Sequence, residues 1–270
     1  MKYSLEELIC VDLAHTLNDN ETGFTGLATG GAAAIYITSI PVAAMRLAQK
    51  THAPNLTILL SGVYHNPDLT QLKSMPDSEY AQEMLDLPCE GQMNCYPGFM
   101  SHLRGDVSFG FASGVQVDKE GNLNCTCIGD PLKPRVQLVG PALVPEHFAS
   151  FGREYVMMPN HDKRNFVEKV DYISGVGHIG GTAGRRELGL KGFGPKYIYT
   201  PKCVFAFDDE GKIYVRSIHP GVTAEEVIEA TGFDLGDLSN VPTTPEPTDE
   251  ELRILREEVD PNGLLLARPE

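Results

Sequence analysis

Residues 111–130 read FASGVQVDKEGNLNCTCIGD, and this stretch predicts a β-hairpin beside which the other elements can be arranged. Apolar and polar residues alternate over 115–118 and again over 122–127, which is the pattern of half-buried strands. Between them, residues 119–122 (KEGN) have the composition of a turn. One face of the hairpin is therefore apolar, and the other carries Gln116, Asn122, Asn124 and Thr126.

This polar face has two interpretations. A row of amide and hydroxyl groups at period two offers donors and acceptors that a polar ligand could use. Its four members are therefore candidate substrate-binding residues. The alternative is an ordinary hairpin whose polar face is solvated.

Composition excludes several classes of protein. The 270 residues, with 41% hydrophobic and 22% charged residues, are typical of a soluble globular chain long enough for one large domain or two small ones. The formal net charge of -15 argues against non-specific nucleic-acid binding. No apolar run approaches the length of a membrane span, and residues 1–7 lack the apolar core of a signal peptide, so we expect a cytoplasmic protein that contacts no membrane.

The six cysteines are scattered, and none forms a CxxC motif. Free thiols are therefore expected, and we predict no metal site.

The first half of the chain suggests an alternation of helices and strands. Residues 4–17 have helical periodicity, with Ser4 and Glu7 placed as a capping box, and residues 18–34 have loop composition. Residues 35–38 predict a short strand, followed by a helix that Ser39 caps and that ends before Pro54. The pattern indicates a Rossmann-like βα unit.

The next predicted strand, residues 56–60, ends at Ser61-Gly62. Ligands of open α/β sheets bind at the carboxyl ends of strands, so the residues that follow are site candidates. They are Tyr64 for substrate binding and His65 as a general base. Residues 63–96 are acidic and irregular, with a helix around 78–87, and predict a lid or a partner-facing insertion.

The remaining chain continues the alternation, with a helix near 98–103, strands near 107–111, 136–139, 155–158 and 170–173, and a hairpin over 202–218. A glycine-rich loop, residues 175–194, carries Arg185, Arg186 and Lys191, and is either solvated or a pocket for phosphate or carboxylate. We predict one α/β domain over 1–240. Residues 241–270 predict an extended connector and a C-terminal helix that packs on the domain or on a partner.

Several segments, in this order along the chain, resemble the B (beta) subunits of family I CoA-transferases, especially glutaconate CoA-transferase. They are residues 114–118, 121–124, 128–130, 156–158, 161–164, 170–174, 185–190, 229–235 and 255–261. The C-terminal half is also similar, at 160–164 and 219–223, to the B subunits of ring-opening acyl-CoA hydrolases of steroid degradation.

The resemblance implies an open, mainly parallel three-layer α/β sheet of the CoA-transferase type, with hairpins and a C-terminal helical appendage. It also implies a CoA-transferase-like A (alpha) subunit as partner and an acyl-CoA substrate. Coenzyme A would then be part of the substrate, with no permanently bound cofactor.

In the transferase members a B-subunit glutamate just before a Ser-Gly pair attacks the thioester. Leu60 occupies that position here, and Ser61 beside it is the other catalytic candidate. Two glycine-rich family segments also differ, appearing as residues 37–39 and 140–143, where Gly140 is retained as a substrate-binding candidate. Because backbone N–H groups at such sites stabilise an oxyanion, these differences weaken the transferase mechanism.

Three hypotheses follow. The chain is a subunit of an enzyme that performs thioester-dependent C–C hydrolysis or decarboxylation without a covalent intermediate, with acid and base groups supplied largely by the A subunit. Alternatively, it is a genuine CoA-transferase subunit whose nucleophile is another residue, for which Glu79, Glu83 and Glu90 are candidates. The third hypothesis is a non-catalytic structural subunit.

Overall fold

The computed structural model describes residues 2–28, 31–94 and 104–269. The chain divides into two compact units, each with its own strands and helices. Of the described residues, the first unit contains 2–94, 107–111 and 245–269, and the second contains 104–106 and 112–244. The helix predicted near 98–103 and Cys95 lie outside the described residues.

The first unit is built on three parallel strands with antiparallel strands beyond them. Its strands are β1 (Thr22–Thr25), β2 (Thr57–Leu60), β3 (Tyr64–His65), β4 (Gly91–Gln92) and β5 (Phe109–Ala112, which runs into the second unit). β1 pairs in parallel with β2 and β5, whereas β2, β3 and β4 are successive antiparallel neighbours. Its helices are α1 (Leu5–Ala14), α2 (Gly31–Thr51), α3 (Gln82–Leu85) and α7 (Asp249–Ile254, continued by a π-helical turn over Leu255–Val259).

The second unit contains the predicted hairpin and a four-stranded set. The strands are β6 (Gln116–Asp118), β7 (Leu123–Asn124), β8 (Cys127–Ile128), β9 (Val136–Gln137), β10 (Arg153–Met157), β11 (Phe166–Val167), β12 (Pro195–Tyr199), β13 (Cys203–Phe207) and β14 (Ile213–Ile218). β10 and β12 are parallel, and β12, β13 and β14 are antiparallel. The helices are α4 (Val144–Ser150), α5 (Gly181–Glu187) and α6 (Ala224–Ala230). The predicted α/β class is confirmed, with parallel pairing inside each unit and antiparallel strands at its edge.

The predicted hairpin is present. β6 and β7 pair antiparallel, with Gln116 opposite Asn124 and Val117 opposite Leu123. Val117 and Leu123 are buried in a core with Phe166 and Phe205, as the apolar alternation requires. The second half of the predicted returning strand leaves this pairing, because residues 127–128 form β8 and pair with β9 instead.

The strand predicted over 35–38 is wrong. Residues 35–39 form a π-helical turn inside α2, between the α-helical segments Gly31–Ala34 and Ile40–Thr51. The β-branched residues favour a strand locally, but three preceding alanines favour the helix and tertiary contacts complete it. The strand of this βαβ unit is β1, which lies in the segment interpreted from composition as a loop.

Contrary to the expectation that no apolar run approaches the length of a membrane span, helix α2 has 21 residues and is, by length and composition, long and apolar enough to cross a membrane. More than half of its most apolar window is buried inside the protein, as in the core helix of a globular domain. It connects the parallel strands β1 and β2.

The chain termini are joined within the first unit. The predicted capping box at α1 is present, with the Ser4 Oγ accepting from the Glu7 N–H at 3.1 Å and a Glu7 carboxylate oxygen accepting from the Ser4 N–H at 2.9 Å. Arg256 Nε donates to the same carboxylate of Glu7 at 2.6 Å, which fixes α7 against α1. The predicted domain limits, 1–240 and 241–270, stay a prediction.

Candidate active site

The carboxyl end of β2 forms a sharp turn in the first unit. Leu60, the last residue of the strand, is fully buried, with a relative exposure of 0%. Ser61 and Gly62 both have left-handed backbones, with φ of 55° and 67°. A non-glycine residue rarely adopts this conformation, which is often found at functional sites.

Ser61 is held by its backbone and not by its side chain. Its N–H donates to the Thr25 carbonyl at 2.8 Å, which ties the ends of β1 and β2 together. The Ser61 Oγ is buried and has no hydrogen-bond partner among the described residues. A buried hydroxyl without a partner costs free energy, so a hydrogen bond from a ligand group would stabilise this atom.

The hairpin β2–β3 brings Tyr64 and His65 back to this turn. Tyr64 pairs with Leu60 and His65 with Leu59. Tyr64 is buried, its hydroxyl donates to the Glu79 carbonyl at 2.5 Å, and burial raises its pKa. His65 is half-buried, beside Gly91 of β4. The candidates Ser61, Tyr64 and His65 therefore lie together in one short hairpin, and their roles stay predictions.

No carboxylate replaces Leu60 within β2 or its turn, residues 57–62. The three alternative nucleophiles lie in the segment that follows. Glu79 is half-buried and contacts Tyr64 through its backbone carbonyl, whereas Glu83 and Glu90 are exposed. A Glu90 carboxylate oxygen also accepts from Asn66 Nδ2 at 2.8 Å. Of the three, Glu79 is tied to the turn most directly.

A pair of threonines at this end of the sheet had not been singled out from the sequence. The Thr25 hydroxyl donates to the Ile37 carbonyl in the π-helical turn of α2. Thr38 Oγ1 donates to the Gly26 carbonyl at 2.9 Å and accepts from the Ala28 N–H at 2.8 Å. These bonds hold the loop after β1 against α2. Since they depend on a π-helical turn that no residue pattern marks, the sequence carried no signal for them.

In the second unit, the amide-rich face of the hairpin is buried. Asn124 is 0% exposed, and its Nδ2 donates to Gln116 Oε1 at 2.8 Å and to the Cys127 carbonyl at 2.7 Å. Asn124 Oδ1 accepts from the Thr126 N–H at 3.0 Å. Gln116 Oε1 also accepts from the Asp171 N–H at 3.0 Å. The side chains bond to each other and to backbone, so the alternative of a solvated polar face is wrong.

Asn122 and Thr126 extend this internal bonding. Asn122 Oδ1 accepts from the Gly177 N–H at 2.8 Å, and its Nδ2 donates to Asp118 Oδ2 at 3.1 Å. The hydroxyls of Thr126 and Ser174 lie 2.7 Å apart. The face thus joins the hairpin to residues 171–177, and its proposed substrate-binding role stays a prediction.

Gly140 lies after β9 with φ of 92°, a conformation that favours glycine. Its N–H donates to the Cys125 carbonyl at 3.0 Å. A Cβ at this position would have no atom within 4 Å, so the backbone here faces open space. This openness is compatible with the predicted substrate contact.

The glycine-rich loop does not present Arg185 to a ligand. Arg185 is buried, and its guanidinium donates to the carbonyls of Phe148, Val176, Gly177 and Gly192. Burial lowers its pKa to about 10. The proposed anion pocket is therefore wrong for Arg185, whereas Arg186 and Lys191 are exposed.

Glu154 on β10 is a buried carboxyl group that had not been singled out from the sequence. Its side chain is 0% exposed, and neither oxygen has a hydrogen-bond partner among the described residues. Burial raises its pKa well above the usual value, and the nearby Arg185 opposes that rise. In sequence it resembles an exposed strand residue next to Arg153, so only the fold reveals its burial.

Comparisons with known proteins place these features in context. A family model described as Coenzyme A transferase matches residues 102–230. The chain is 33% identical over 258 residues to the B subunit of 3-oxoadipate CoA-transferase from Pseudomonas knackmussii, covering 94% of this chain and 92% of the relative.

Two solved structures share the fold over nearly the whole chain. Glutaconate coenzyme A-transferase from Acidaminococcus fermentans superposes with a TM-score of 0.79 at 26% identity, covering 99% of this chain and 98% of the other. IpdAB from Rhodococcus jostii RHA1 superposes with a TM-score of 0.76 at 25% identity, covering 98% and 97%. The curated IpdB subunit of that organism is described as a cholesterol ring-cleaving hydrolase and is 32% identical over 155 residues, 55% of this chain and 58% of the relative. The resemblance drawn from the sequence segments is confirmed.

Proposed function

The chain belongs to the coenzyme A transferase family, and we propose that it is the B subunit of a heteromeric enzyme that acts on an acyl-CoA thioester without a covalent intermediate on this chain. Its partner is an A-type subunit, as in the relatives named as B subunits. The observation that carries the proposal is Leu60. The position that precedes Ser-Gly, where transferase members have their nucleophilic glutamate, is here a fully buried leucine.

Covalent transfer requires a carboxylate oxygen that attacks the thioester carbonyl and expels the CoA thiolate, leaving an acyl anhydride on the enzyme. A leucine side chain has no lone pair to donate. With the nucleophile absent, water or an intramolecular bond cleavage must complete the reaction, while the thioester activates the acyl group. The ring-cleaving hydrolase name of the IpdB relative supports this chemistry in the same family.

The turn after β2 gives this subunit a part in binding the reacting group. The Ser61 hydroxyl, buried and without a partner among the described residues, can donate to a substrate oxygen. His65, half-buried on β3, is the proposed general base that activates water. Tyr64 is held beside this turn by the backbone carbonyl of Glu79. The A subunit supplies the remaining acid and base groups.

The second unit holds its own predicted substrate-binding residues in a rigid arrangement. Gln116, Asn122, Asn124 and Thr126 hold the hairpin and the neighbouring loop in one arrangement through their internal bonds. Gly140, with open space around it, is the member of the predicted set that can approach an acyl-CoA through its backbone. We place the enzyme in the cytoplasm, with coenzyme A entering as part of the substrate.

The second candidate function is CoA transfer through a different nucleophile. It is favoured by the 33% identity to the B subunit of 3-oxoadipate CoA-transferase over nearly the whole chain. The nucleophile is then one of Glu79, Glu83 and Glu90, of which Glu79 is bonded to Tyr64 beside the turn through its backbone carbonyl.

Replacement of Leu60 separates these functions. We expect the heteromer carrying Leu60→Glu to gain exchange of CoA between an acyl-CoA and free acetate, with Leu60→Gln as the matched control of equal shape and no nucleophile. The unmodified heteromer is expected to consume acyl-CoA without a carboxylate acceptor.

The transferase function predicts a different result. The unmodified heteromer would then exchange CoA only when a carboxylate acceptor is present, and Glu79→Gln would abolish this exchange. The structural role predicts that Ser61→Ala and His65→Ala leave the turnover of the heteromer unchanged. The heteromer would still need this chain to stay assembled.

A further inference from the structure

An apolar segment in the second unit projects without cover. Residues 131–139, PLKPRVQLV, follow β8 and include β9, and we refer to them as the arm. Val139 is 100% exposed and Leu132 is 95% exposed. Val136 is also exposed. Isolated exposed apolar residues are common on proteins, but a cluster of them in one segment marks an interaction site.

The arm is ordered by its backbone. The Arg135 N–H donates to the Ile128 carbonyl at 2.8 Å, and the Leu138 N–H donates to the Thr126 carbonyl at 2.9 Å. Among the described residues, β9 pairs with β8 alone in a two-stranded sheet, and both of its residues are exposed. A two-stranded ribbon has little apolar surface of its own to bury, so contact with an additional surface would stabilise it further.

Neighbouring apolar side chains widen the surface. The Gly129 N–H donates to Asp171 Oδ2 at 2.9 Å, which holds residues 171–173 beside the base of the arm. Tyr172 and Ile173, which follow Asp171, are both exposed. Together with the arm they form an exposed apolar set that includes one tyrosine, a residue type enriched at interfaces.

The charge of the arm differs from that of the chain. It carries Lys133 and Arg135, both exposed, and contains no acidic residue, whereas the whole chain has a formal net charge of -15. Two copies meeting arm to arm across a two-fold axis would oppose these like charges. A different chain, with acidic side chains around an apolar groove, would complement them.

We propose that the arm inserts into an apolar groove bordered by acidic side chains on the A-type subunit, with Leu132, Val136 and Val139 as its apolar anchors. This inference rests on the proposed function, because it assigns the partner required there to a surface. Lys133 and Arg135 then orient the arm and raise the association rate through long-range attraction.

The same two charges have another physical interpretation. Edge strands in natural proteins often carry basic residues that prevent unwanted pairing. In that case the arm stays uncovered in the assembled enzyme, and substitutions in it leave association unchanged. The two interpretations therefore predict different dissociation constants.

The test uses separately purified subunits mixed into the heteromer, with Kd measured by calorimetry at low and high salt. Val139→Asp and Leu132→Asp are each expected to weaken association at least about tenfold, as for a residue at the centre of an interface. The double substitution Lys133→Glu and Arg135→Glu is expected to weaken association mainly at low salt.

The matched control is Ile228→Asp on α6, which is also an exposed apolar site and is expected to leave binding of the A-type subunit unchanged. Because the substituted side chains are exposed, each free variant is expected to stay folded, and thermal melts of the free variants check this.

Unchanged Kd for both aspartate variants overturns the proposal. Loss of a dimer of this chain alone, with normal binding of the A-type subunit, also overturns it and assigns the arm to a second copy. Failure of the proposed function is recognised separately, because a covalent intermediate on this chain can be detected in a heteromer whether or not the arm contributes to its assembly.

Discussion

Asn124 uses its whole amide group inside the second unit. It donates to Gln116 and to the Cys127 carbonyl and accepts from the backbone N–H groups of Thr126 and Cys127. A buried amide bonded on all sides holds the surrounding loop in one conformation, and its removal leaves several buried groups without partners.

We expect Asn124→Ala to lower the free energy of unfolding by about 2 kcal/mol, the cost of leaving buried polar groups unpaired. Urea denaturation followed by circular dichroism measures this, with exposed Asn240→Ala as control. An unchanged midpoint together with a raised KM would instead assign Asn124 directly to the substrate.

His161 links stability to pH. The imidazole is buried between Thr200 Oγ1, 3.0 Å from Nδ1, and Thr231 Oγ1, 3.1 Å from Nε2. Burial lowers its pKa to about 3. Between about pH 6.5, the pKa in the unfolded chain, and about pH 3, the imidazole is protonated in the unfolded chain but stays neutral in the folded chain. Stability therefore falls as the pH decreases from about 6.5 towards 3.

We expect the wild-type chain to lose about 2 kcal/mol more stability than His161→Gln between pH 6.5 and pH 5, at about 1.4 kcal/mol per pH unit. Denaturation curves at the two pH values for both proteins provide the difference, in which shared carboxyl groups cancel. Equal losses in the two proteins would show that His161 accepts a proton in the folded state.

Residue identity predicted where candidate side chains lie, but not what they bond to. Ser61, Tyr64 and His65 were placed correctly at the end of a strand, because a break in an apolar run is readable from sequence. The period-two pattern correctly put the amides on one face of the hairpin. Whether that face meets water, a ligand or another loop is decided by residues 171–177, about fifty positions away, and local periodicity contains no such information.

At the scale of elements, the π-helical turn of α2 is the feature that sequence patterns misassigned. Pro41 has no N–H to donate to the carbonyl of Ile37, four residues earlier. The Thr25 hydroxyl from β1 donates to that carbonyl instead. An interaction between a strand and a helix thus substitutes for a bond within the helix, and the local β-branched residues could not indicate it.

We expect Thr25→Val to destabilise the chain by about 1 kcal/mol, because it removes the hydroxyl that donates to the carbonyl of the half-buried Ile37. Pro41→Ala in the same chain is expected to recover part of this loss by restoring an N–H. The double-mutant cycle, measured by chemical denaturation, should give a coupling free energy above about 0.5 kcal/mol. Thr25→Ser is the conservative control, and strictly additive effects would mean that the two residues act independently.

At the scale of the whole molecule, the α/β class was predictable because alternating strands and helices with short connections have few other arrangements. The division into two units was not predictable from the sequence, because the first unit combines residues 2–94 with the C-terminal residues 245–269. The Arg256–Glu7 ion pair that joins these ends spans almost the whole sequence. Segment-by-segment reading of the chain cannot reveal such long-range closure.

The central claim is that a family scaffold has kept its fold while this subunit has lost covalent catalysis. Its most direct test incubates the heteromer with acyl-CoA, treats it with hydroxylamine or borohydride, and maps this chain by peptide mass spectrometry. We expect every carboxyl group of this chain to remain unmodified, whereas Leu60→Glu, as the positive control, becomes modified at residue 60. Modification of Glu79 or any other native carboxylate on this chain, dependent on acyl-CoA, would contradict the claim.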